Sequence, residues 1–140
     1  MKRLFSTQVN TGAINFWLLV SRVAIGAFML THGLPKLNKL LAGNIDFADP
    51  FGIGPGASLL LAVFAEAFCS ILLIFGFATR LVTIPLMITM LVAIFYAHSA
   101  DPFGKKELAV VYLTIFIGFS ILGAGKYSID NLISRKSRRY

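Results

Sequence analysis

The chain has 140 residues, of which 57% are hydrophobic and only 14% are charged, and its formal net charge is +7. Soluble domains carry about 25% charged residues, so this composition excludes an ordinary soluble domain and predicts an integral membrane protein. The single cysteine, Cys69, excludes an intramolecular disulfide and a cysteine-rich metal site. The basic residues cluster at the two ends of the chain without interleaved aromatics, which predicts contact with the lipid bilayer and no nucleic-acid partner.

Four apolar segments are candidates for helices that cross a bilayer, which requires roughly 17–25 residues. They lie at about 13–34, 57–78, 81–97 and 108–124. Only Thr79 and Arg80 separate the second segment from the third, which predicts a tight antiparallel hairpin. The predicted fold class is therefore an all-α integral membrane protein, a four-transmembrane-helix antiparallel bundle that forms a single domain over residues 1–140.

The distribution of lysine and arginine predicts the orientation of this bundle, because the cytoplasmic flanks of membrane helices are enriched in both. Lys2 and Arg3 precede the first segment, Arg80 lies in the turn between the second and third, and a basic tail at 125–140 follows the fourth. In the other two loops, the lysines are balanced by acidic residues. We expect both termini and Arg80 on the cytoplasmic side, with the tail at the anionic lipid of the inner leaflet.

Two ionisable residues lie inside the predicted spans, Arg22 in the first and Glu66 near the middle of the second. Such residues are costly in a membrane and are functional candidates by default. Their depths differ by less than the reach of an arginine side chain, and pairing offsets much of the desolvation cost. We therefore predict a buried Arg22–Glu66 ion pair. It either fixes the register of the helices or takes part in a proton-linked site.

A second polar group is predicted at the outer ends of the helices. His32 and Lys36 lie on the same side of the first helix as Arg22, His98 ends the third helix, and Glu107 begins the fourth. These side chains are suited to the polar end of a quinone, to proton relay or to a divalent cation. No metal site is predicted, because the short fixed spacing of a motif such as HExxH is missing. The alternative is that both histidines cap helix ends and meet lipid headgroups.

The pentapeptide ADPFG occurs twice, at Ala48–Gly52 and at Ala100–Gly104. Asp-Pro with a following glycine is ordinary turn chemistry, which by itself accounts for the repeat. An internal duplication is weakly indicated, because the first loop is much longer than the second. The topology predicts that both copies flank the outer group of polar residues.

The sequence resembles the DoxX family in four blocks that together span about residues 17–130. The blocks are RVAIGAFMLTHGLPKL, AEAFCSILLIFGFATRL, YAHSADPFGKKELAVVYL and GAGKYSID. The residues that match recurrent positions of the family are Arg22, His32, Gly33, Lys36, Glu66, Gly76, Arg80, His98, Glu107 and Asp130. The closing block departs from the family, which often has proline and arginine where this chain has Ala124 and Lys126.

The resemblance implies a small four-helix protein of the bacterial inner membrane, and it is the source of a redox hypothesis. Relatives called DoxD are membrane subunits of thiosulfate:quinone oxidoreductases, and other members are linked with redox-stress complexes. The leading hypothesis is a membrane subunit in quinone-linked redox chemistry or oxidative and thiol stress defence, with a lipophilic ligand near the outer ends of the helices. Whether the chain is itself an enzyme stays open, and no cofactor other than a quinone is suggested.

Two other functions follow from the same residues. The chain could serve as a noncatalytic scaffold that anchors a soluble oxidoreductase partner, through its basic tail and outer loops. A small transporter or channel ranks third, because one chain of four short helices leaves little room for a pore and would require a homo-oligomer.

Overall fold

A computed structural model describes residues 7–137. Within that range the regular elements are all helical, which confirms the all-α prediction, and no strand is present. The helices are α1 (Thr11–Leu41), α2 (Pro55–Phe75), α3 (Thr79–Ala97), α4 (Phe103–Leu122) and α5 (Ile129–Ser137). Four of the basic residues used to predict the orientation lie outside the described residues, namely Lys2, Arg3, Arg138 and Arg139.

Helices α1, α2 and α3 are long and apolar enough to cross a membrane. Helix α4 carries Lys105, Lys106 and Glu107 in its first turns, so its apolar part begins only at Leu108. Three spans are thus supported by length and composition, and the fourth stays a prediction.

Helix α1 is longer than predicted and continues through Pro35 to Leu41. The segment predicted at about 13–34 covers the apolar part of this helix, and a proline in a helix interior costs about 3 kcal/mol. Here Leu37 and Leu40 pack against a buried cluster of Leu59, Val63 and Ala67 in α2, and this contact offsets the missing hydrogen bond. The extension places Lys36 on a continuous helix that faces α2.

A tight turn at 76–78 joins α2 to α3, just before the predicted break at Thr79 and Arg80, which both lie in the first turn of α3. Gly76 has φ +65°, and the amides of Gly76 and Phe77 donate to the carbonyls of Leu73 and Leu72, which closes α2 with a Schellman motif. This turn and residues 123–128 lie at one end of the molecule, the tail end. The connections at 42–54 and 98–102 lie at the other, the loop end.

One apolar core joins the four long helices. Met29 of α1, Leu73 of α2, Leu86 of α3 and Phe116 of α4 are members of this cluster and are almost fully buried. Many large apolar side chains on the outside of the same helices are exposed, as expected for surfaces that face lipid. The core fixes the helices that carry the polar residues described next.

Candidate functional site

A buried ion pair links α1 to α2. Lys36 Nζ lies 2.5 Å from both carboxylate oxygens of Glu66. Glu66 is only 4% exposed, whereas the side chain of Lys36 is 28% exposed. The Lys36 ammonium also lies 5.8 Å from the centre of the Phe47 ring, a cation–π distance. Lys36, rather than Arg22, is therefore the partner of Glu66.

Gly33 allows the two helices to approach closely at this pair. A Cβ added at Gly33 would lie 2.5 Å from the backbone carbon of Glu66 and 2.6 Å from the amide nitrogen of Ala67. No side chain fits that gap, so the backbones of α1 and α2 touch one turn before Lys36. The absence of a side chain at residue 33 thus sets the distance that Lys36 must cover.

Glu66 lies in a π-helical segment, Phe64–Cys69, in the middle of α2. A second π-helical segment, Ala93–Ala97, ends α3. Such segments are rare and occur often at functional sites, because the widened turn redirects side chains and loosens the regular hydrogen-bond ladder. Neither π-helical segment has a signal in the amino-acid sequence.

An apolar cavity of about 290 Å³ lies between α2 and α3 and ends at the ion pair. The loop at 47–51 covers its loop end, where Phe47, Ala48, Pro50 and Phe51 line it. The residues that line the rest of the cavity are Lys36, Ser58, Leu61, Ala62, Phe64, Ala65, Glu66, Pro85, Ile88, Thr89, Val92, Ala93, Tyr96 and Ala97. The cavity is therefore suited to a lipophilic molecule with one polar end.

A second, more polar cavity of about 180 Å³ lies on the other side of the same ion pair. The polar residues that line it are His32, Lys36, Glu66, His98, Lys105 and Tyr112. The ring of His32 meets the ring of Tyr112 edge to face, with 6.0 Å between the centroids. Lys36, Glu66 and Ala93 are common to both cavities, so they form the wall between the two.

The polar residues predicted at the outer ends of the helices are thus partly brought together. His32, Lys36 and His98 line the polar cavity, whereas Glu107 is exposed and lines neither of the two cavities. Glu107 lies on the outward side of the first turns of α4, since Leu108 and Ala109 are the neighbours that face the polar cavity. Sequence spacing predicts the position of Glu107 along the axis of α4, but not which side of the helix carries its side chain.

The predicted Arg22–Glu66 ion pair does not form, although both residues are buried. The Arg22 guanidinium donates to the carbonyls of Ile74 at 3.1 Å and Ala124 at 2.8 Å, and also to the carbonyl of Tyr127. The last carbonyls of a helix have no partner within it, and Ile74 belongs to the last turn of α2. Arg22 satisfies these carbonyls at the tail end, and Lys36 reaches Glu66 because α1 continues past Pro35.

Asp130, one of the residues that match recurrent family positions, is half-buried at the tail end. Its carboxylate accepts hydrogen bonds from the amides of Ala78 at 2.7 Å and Thr79 at 2.9 Å, so it caps α3 from the far end of the chain. Arg80, predicted in the turn, lies in the first turn of α3 and donates to the carbonyl of Ile121 at 3.1 Å. Both contacts hold the tail end together and lie away from the two cavities.

The two ADPFG copies have different contacts. Asp49 accepts from the Ser58 hydroxyl and the Gly54 amide, both at 2.8 Å, and the Ser58 bond is the main cause that lowers the pKa of Asp49. Asp101 instead lies 2.8 Å from His98 Nδ1 and 3.4 Å from Lys105 Nζ; the His98 hydrogen bond is the main cause that lowers the pKa of Asp101. Only the first copy covers the apolar cavity, where Phe51 lines the wall. The second copy instead contacts His98, which lines the polar cavity, through Asp101.

Residues 7–137 contain no group of three His, Cys, Asp or Glu side chains placed to hold a metal ion. The Lys36–Glu66 ion pair lies at one end of the apolar cavity, an arrangement suited to an organic ligand.

The helices and the intramembrane ion pair define a multi-pass membrane protein. Comparison with known sequences gives its family: the DoxX family model matches residues 17–99, and the chain belongs to this family. It is 32% identical to the inner membrane protein YqjF of Escherichia coli, with 85% of this chain and 93% of that protein covered. The chain is accordingly a protein of the bacterial inner membrane.

Two further relatives are informative about what the family name covers. An uncharacterized protein of Haemophilus influenzae is 30% identical, with 86% of this chain and 93% of that protein covered. A Bacillus subtilis protein that bears the name "Putative oxidoreductase CatD" is 28% identical, with 82% and 85% covered. No solved structure matches the chain.

Proposed function

We propose that the protein is a membrane subunit of quinone-linked redox chemistry, and that the apolar cavity binds the quinone. The observation that carries this proposal is the ion pair at the inner end of an apolar cavity between two membrane helices. The Lys36 ammonium is a hydrogen-bond donor for a quinone carbonyl, and the Glu66 carboxylate is an acceptor for a quinol hydroxyl. The name of the Bacillus relative points to the same class of chemistry.

The residues that line the cavity favour a ring over a bare acyl chain. Ligand sites are mostly apolar with a few placed polar groups, and here the charged groups are those of one ion pair. Phe51, Phe64 and Tyr96 supply flat faces around the space. A ring packed among them would present its oxygen atom to Lys36 and leave its tail between α2 and α3, towards lipid.

The proposal is tested by equilibrium binding of a short-tailed benzoquinone analogue to the purified protein in lipid nanodiscs. Lys36→Met and Glu66→Gln should each weaken binding, and Ala62→Phe, which fills the apolar cavity, should abolish it. Glu107→Gln is the matched control for Glu66→Gln, because Glu107 is exposed and lines neither cavity. Unchanged affinity in all three cavity variants, or no binding by the wild type, refutes the proposal.

The roles assigned to the histidines are tested in the same assay. His32 and His98 line the polar cavity and not the apolar one. If the quinone occupies the apolar cavity, His32→Ala and His98→Ala should change affinity less than Lys36→Met does. A larger effect of the histidine variants would move the ligand to the polar cavity.

We propose in addition that α4 is a fourth span, with both termini on the cytoplasmic side. The supporting observation is that Tyr112, Phe116 and Phe119 of α4 belong to the same buried core as the three apolar spans. Ile117, Ile121 and Leu122 are exposed on its outer surface, as on the other spans. Reporter fusions after residue 125 and within the loop at 42–54 test this orientation, and reporters on the same side of the membrane would contradict it.

A noncatalytic anchor for a soluble oxidoreductase partner is the second candidate. Helix α5 exposes apolar Leu132 and Ile133 beside basic Arg135 and Lys136, a surface suited to the inner leaflet or to a partner there. A stoichiometric oxidoreductase that copurifies from native membranes with both wild type and Lys36→Met, when neither binds quinone, would favour this function.

A further inference from the structure

We propose that the polar cavity is a water-filled proton route from the loop end of the molecule to Glu66. The proposal rests on the proposed function, in which Glu66 also faces a bound quinone, and it assigns the second cavity a role. Protons would reach the ligand through Glu66 from the aqueous phase at the loop end and from no other side.

The shared wall is the first observation. Glu66 is 4% exposed and lies at membrane depth, yet its side chain lines both cavities. A carboxylate that only fixed helix register would need one partner and no second open side. On one side Glu66 lines the polar cavity, and on the other side it lines the apolar cavity in which the ligand is proposed to bind.

The chemistry of the polar cavity suits water. A cavity needs about 10–15 Å³ to hold one water molecule and the water needs two to four polar partners. This cavity measures about 180 Å³. Its polar walls come from α1 (His32, Lys36), α2 (Glu66), the connection after α3 (His98) and α4 (Lys105, Tyr112).

The other charged groups that line the polar cavity have partners apart from Glu66. His98 and Lys105 are occupied at the loop end by Asp101, at 2.8 Å and 3.4 Å. Besides Glu66, Lys36 has the Phe47 ring at 5.8 Å and a side chain that is 28% exposed, and both surroundings would remain to it if Glu66 took a proton. The transfer is of a proton alone: an excess proton from the aqueous phase at the loop end passes along water in the cavity, an O–H bond of the last hydronium ion breaks as an O–H bond on Glu66 forms, and a neutral water molecule remains.

Helix geometry at the wall supports the route. Glu66 lies within the first π-helical segment. Ala93, which like Lys36 and Glu66 lines both cavities, begins the second segment. The two wall residues from α2 and α3 therefore both lie where the helical ladder is widened. A small side chain at residue 93 keeps the wall thin between the cavities.

Cysteine accessibility tests the water-filled route in a Cys69→Ser background. Ala109 lines only the polar cavity and Ala62 only the apolar one, and they are 9% and 8% exposed, which makes them a matched pair. In sealed vesicles of known orientation, a charged methanethiosulfonate should modify the Ala109→Cys variant from the loop-end side only. The Ala62→Cys variant should react at least an order of magnitude more slowly with that reagent and readily with a lipophilic maleimide.

Proton access is measured by labelling of Glu66 with dicyclohexylcarbodiimide, which reacts with protonated carboxyl groups. The pH inside and outside the vesicles is set separately, and the labelled mass is compared with that of Glu66→Gln. The labelling rate should follow the pH at the loop end. Equal reactivity of the two cysteine variants, labelling that follows the tail-end pH, or no labelling while the protein stays folded would each overturn the proposal.

Neither measurement uses a quinone. The route therefore stands or falls separately from the proposed function, and a protein that binds quinone without loop-end proton access would refute the route alone.

Discussion

The Lys36–Glu66 ion pair allows the sharpest test of the site, through the free energies of unfolding of three variants. Lys36→Met leaves the almost fully buried Glu66 carboxylate without its partner, and breaking a buried pair in this way costs about 3–5 kcal/mol. Glu66→Gln should cost less, because the side chain of Lys36 is 28% exposed and retains contact with Phe47. The double variant should regain much of the loss, since no uncompensated buried charge remains.

The assay is reversible unfolding in mixed micelles with increasing dodecyl sulfate, followed by circular dichroism. The two single costs and the double cost give an interaction free energy, and contacting charges are expected to couple by about 0.5–3 kcal/mol. Arg22→Met combined with Glu66→Gln is the control cycle, because Arg22 bonds to carbonyls at the tail end and not to Glu66. That cycle should be additive. Additivity in the Lys36 cycle, or strong coupling in the Arg22 cycle, would refute the pairing described here.

Three further predictions concern how the site is held. Gly33→Ala should destabilise the protein by about 1–3 kcal/mol in the same assay and weaken quinone binding, because the added Cβ overlaps the backbone of α2. The control is Gly118→Ala, where no atom lies within 4 Å of the added Cβ, and it should be neutral or stabilising by up to about 1 kcal/mol. Equal effects at both sites would contradict the close approach of α1 and α2. Asp130→Ala should cost about 0.5–2 kcal/mol through loss of the α3 cap without altering quinone affinity, whereas a large loss of affinity would tie the tail end to the site. The pKa of the Asp49 carboxylate is lowered in the folded protein, so its contribution to folding stability is present above the ordinary value of 3.8 and is lost as pH falls through and below that value. Amide exchange at residues 53 and 54 should therefore rise at acid pH relative to neighbouring amides. Asp49→Asn should remove that pH dependence.

Much of the fold follows from the sequence because the relevant signals are long and local. Apolar segments and their punctuation predict the helices, and the short Thr79–Arg80 break predicts the α2–α3 turn. The end of α1 could not be predicted in the same way. Whether Pro35 stops the helix depends on Leu37 and Leu40 finding partners in α2, and such contacts arise only after the helices pack.

The candidate site could be predicted in composition but not in pairing. His32, Lys36 and His98 line one cavity, because helical periodicity and span ends fix which heights and sides they share. Glu107 lies at the predicted level along the bundle, but its side chain is exposed on the outward side of α4. The two π-helical segments and the two cavities had no sequence signal, since both depend on how four helices meet.

The prediction of Glu66 as the partner of Arg22 was wrong for a physical reason that applies to other small helical membrane proteins. Depth along a helix can be counted at 1.5 Å per residue, so two buried ions at similar depths suggest each other as partners. Depth ignores the unpaired carbonyls at helix ends, and a guanidinium with five donors is better matched to several carbonyls than to one carboxylate in the middle of a helix. Arg22 accordingly satisfies Ile74, Ala124 and Tyr127 at the tail end. Glu66 is left to the ammonium of Lys36, which reaches it from the part of α1 beyond Pro35.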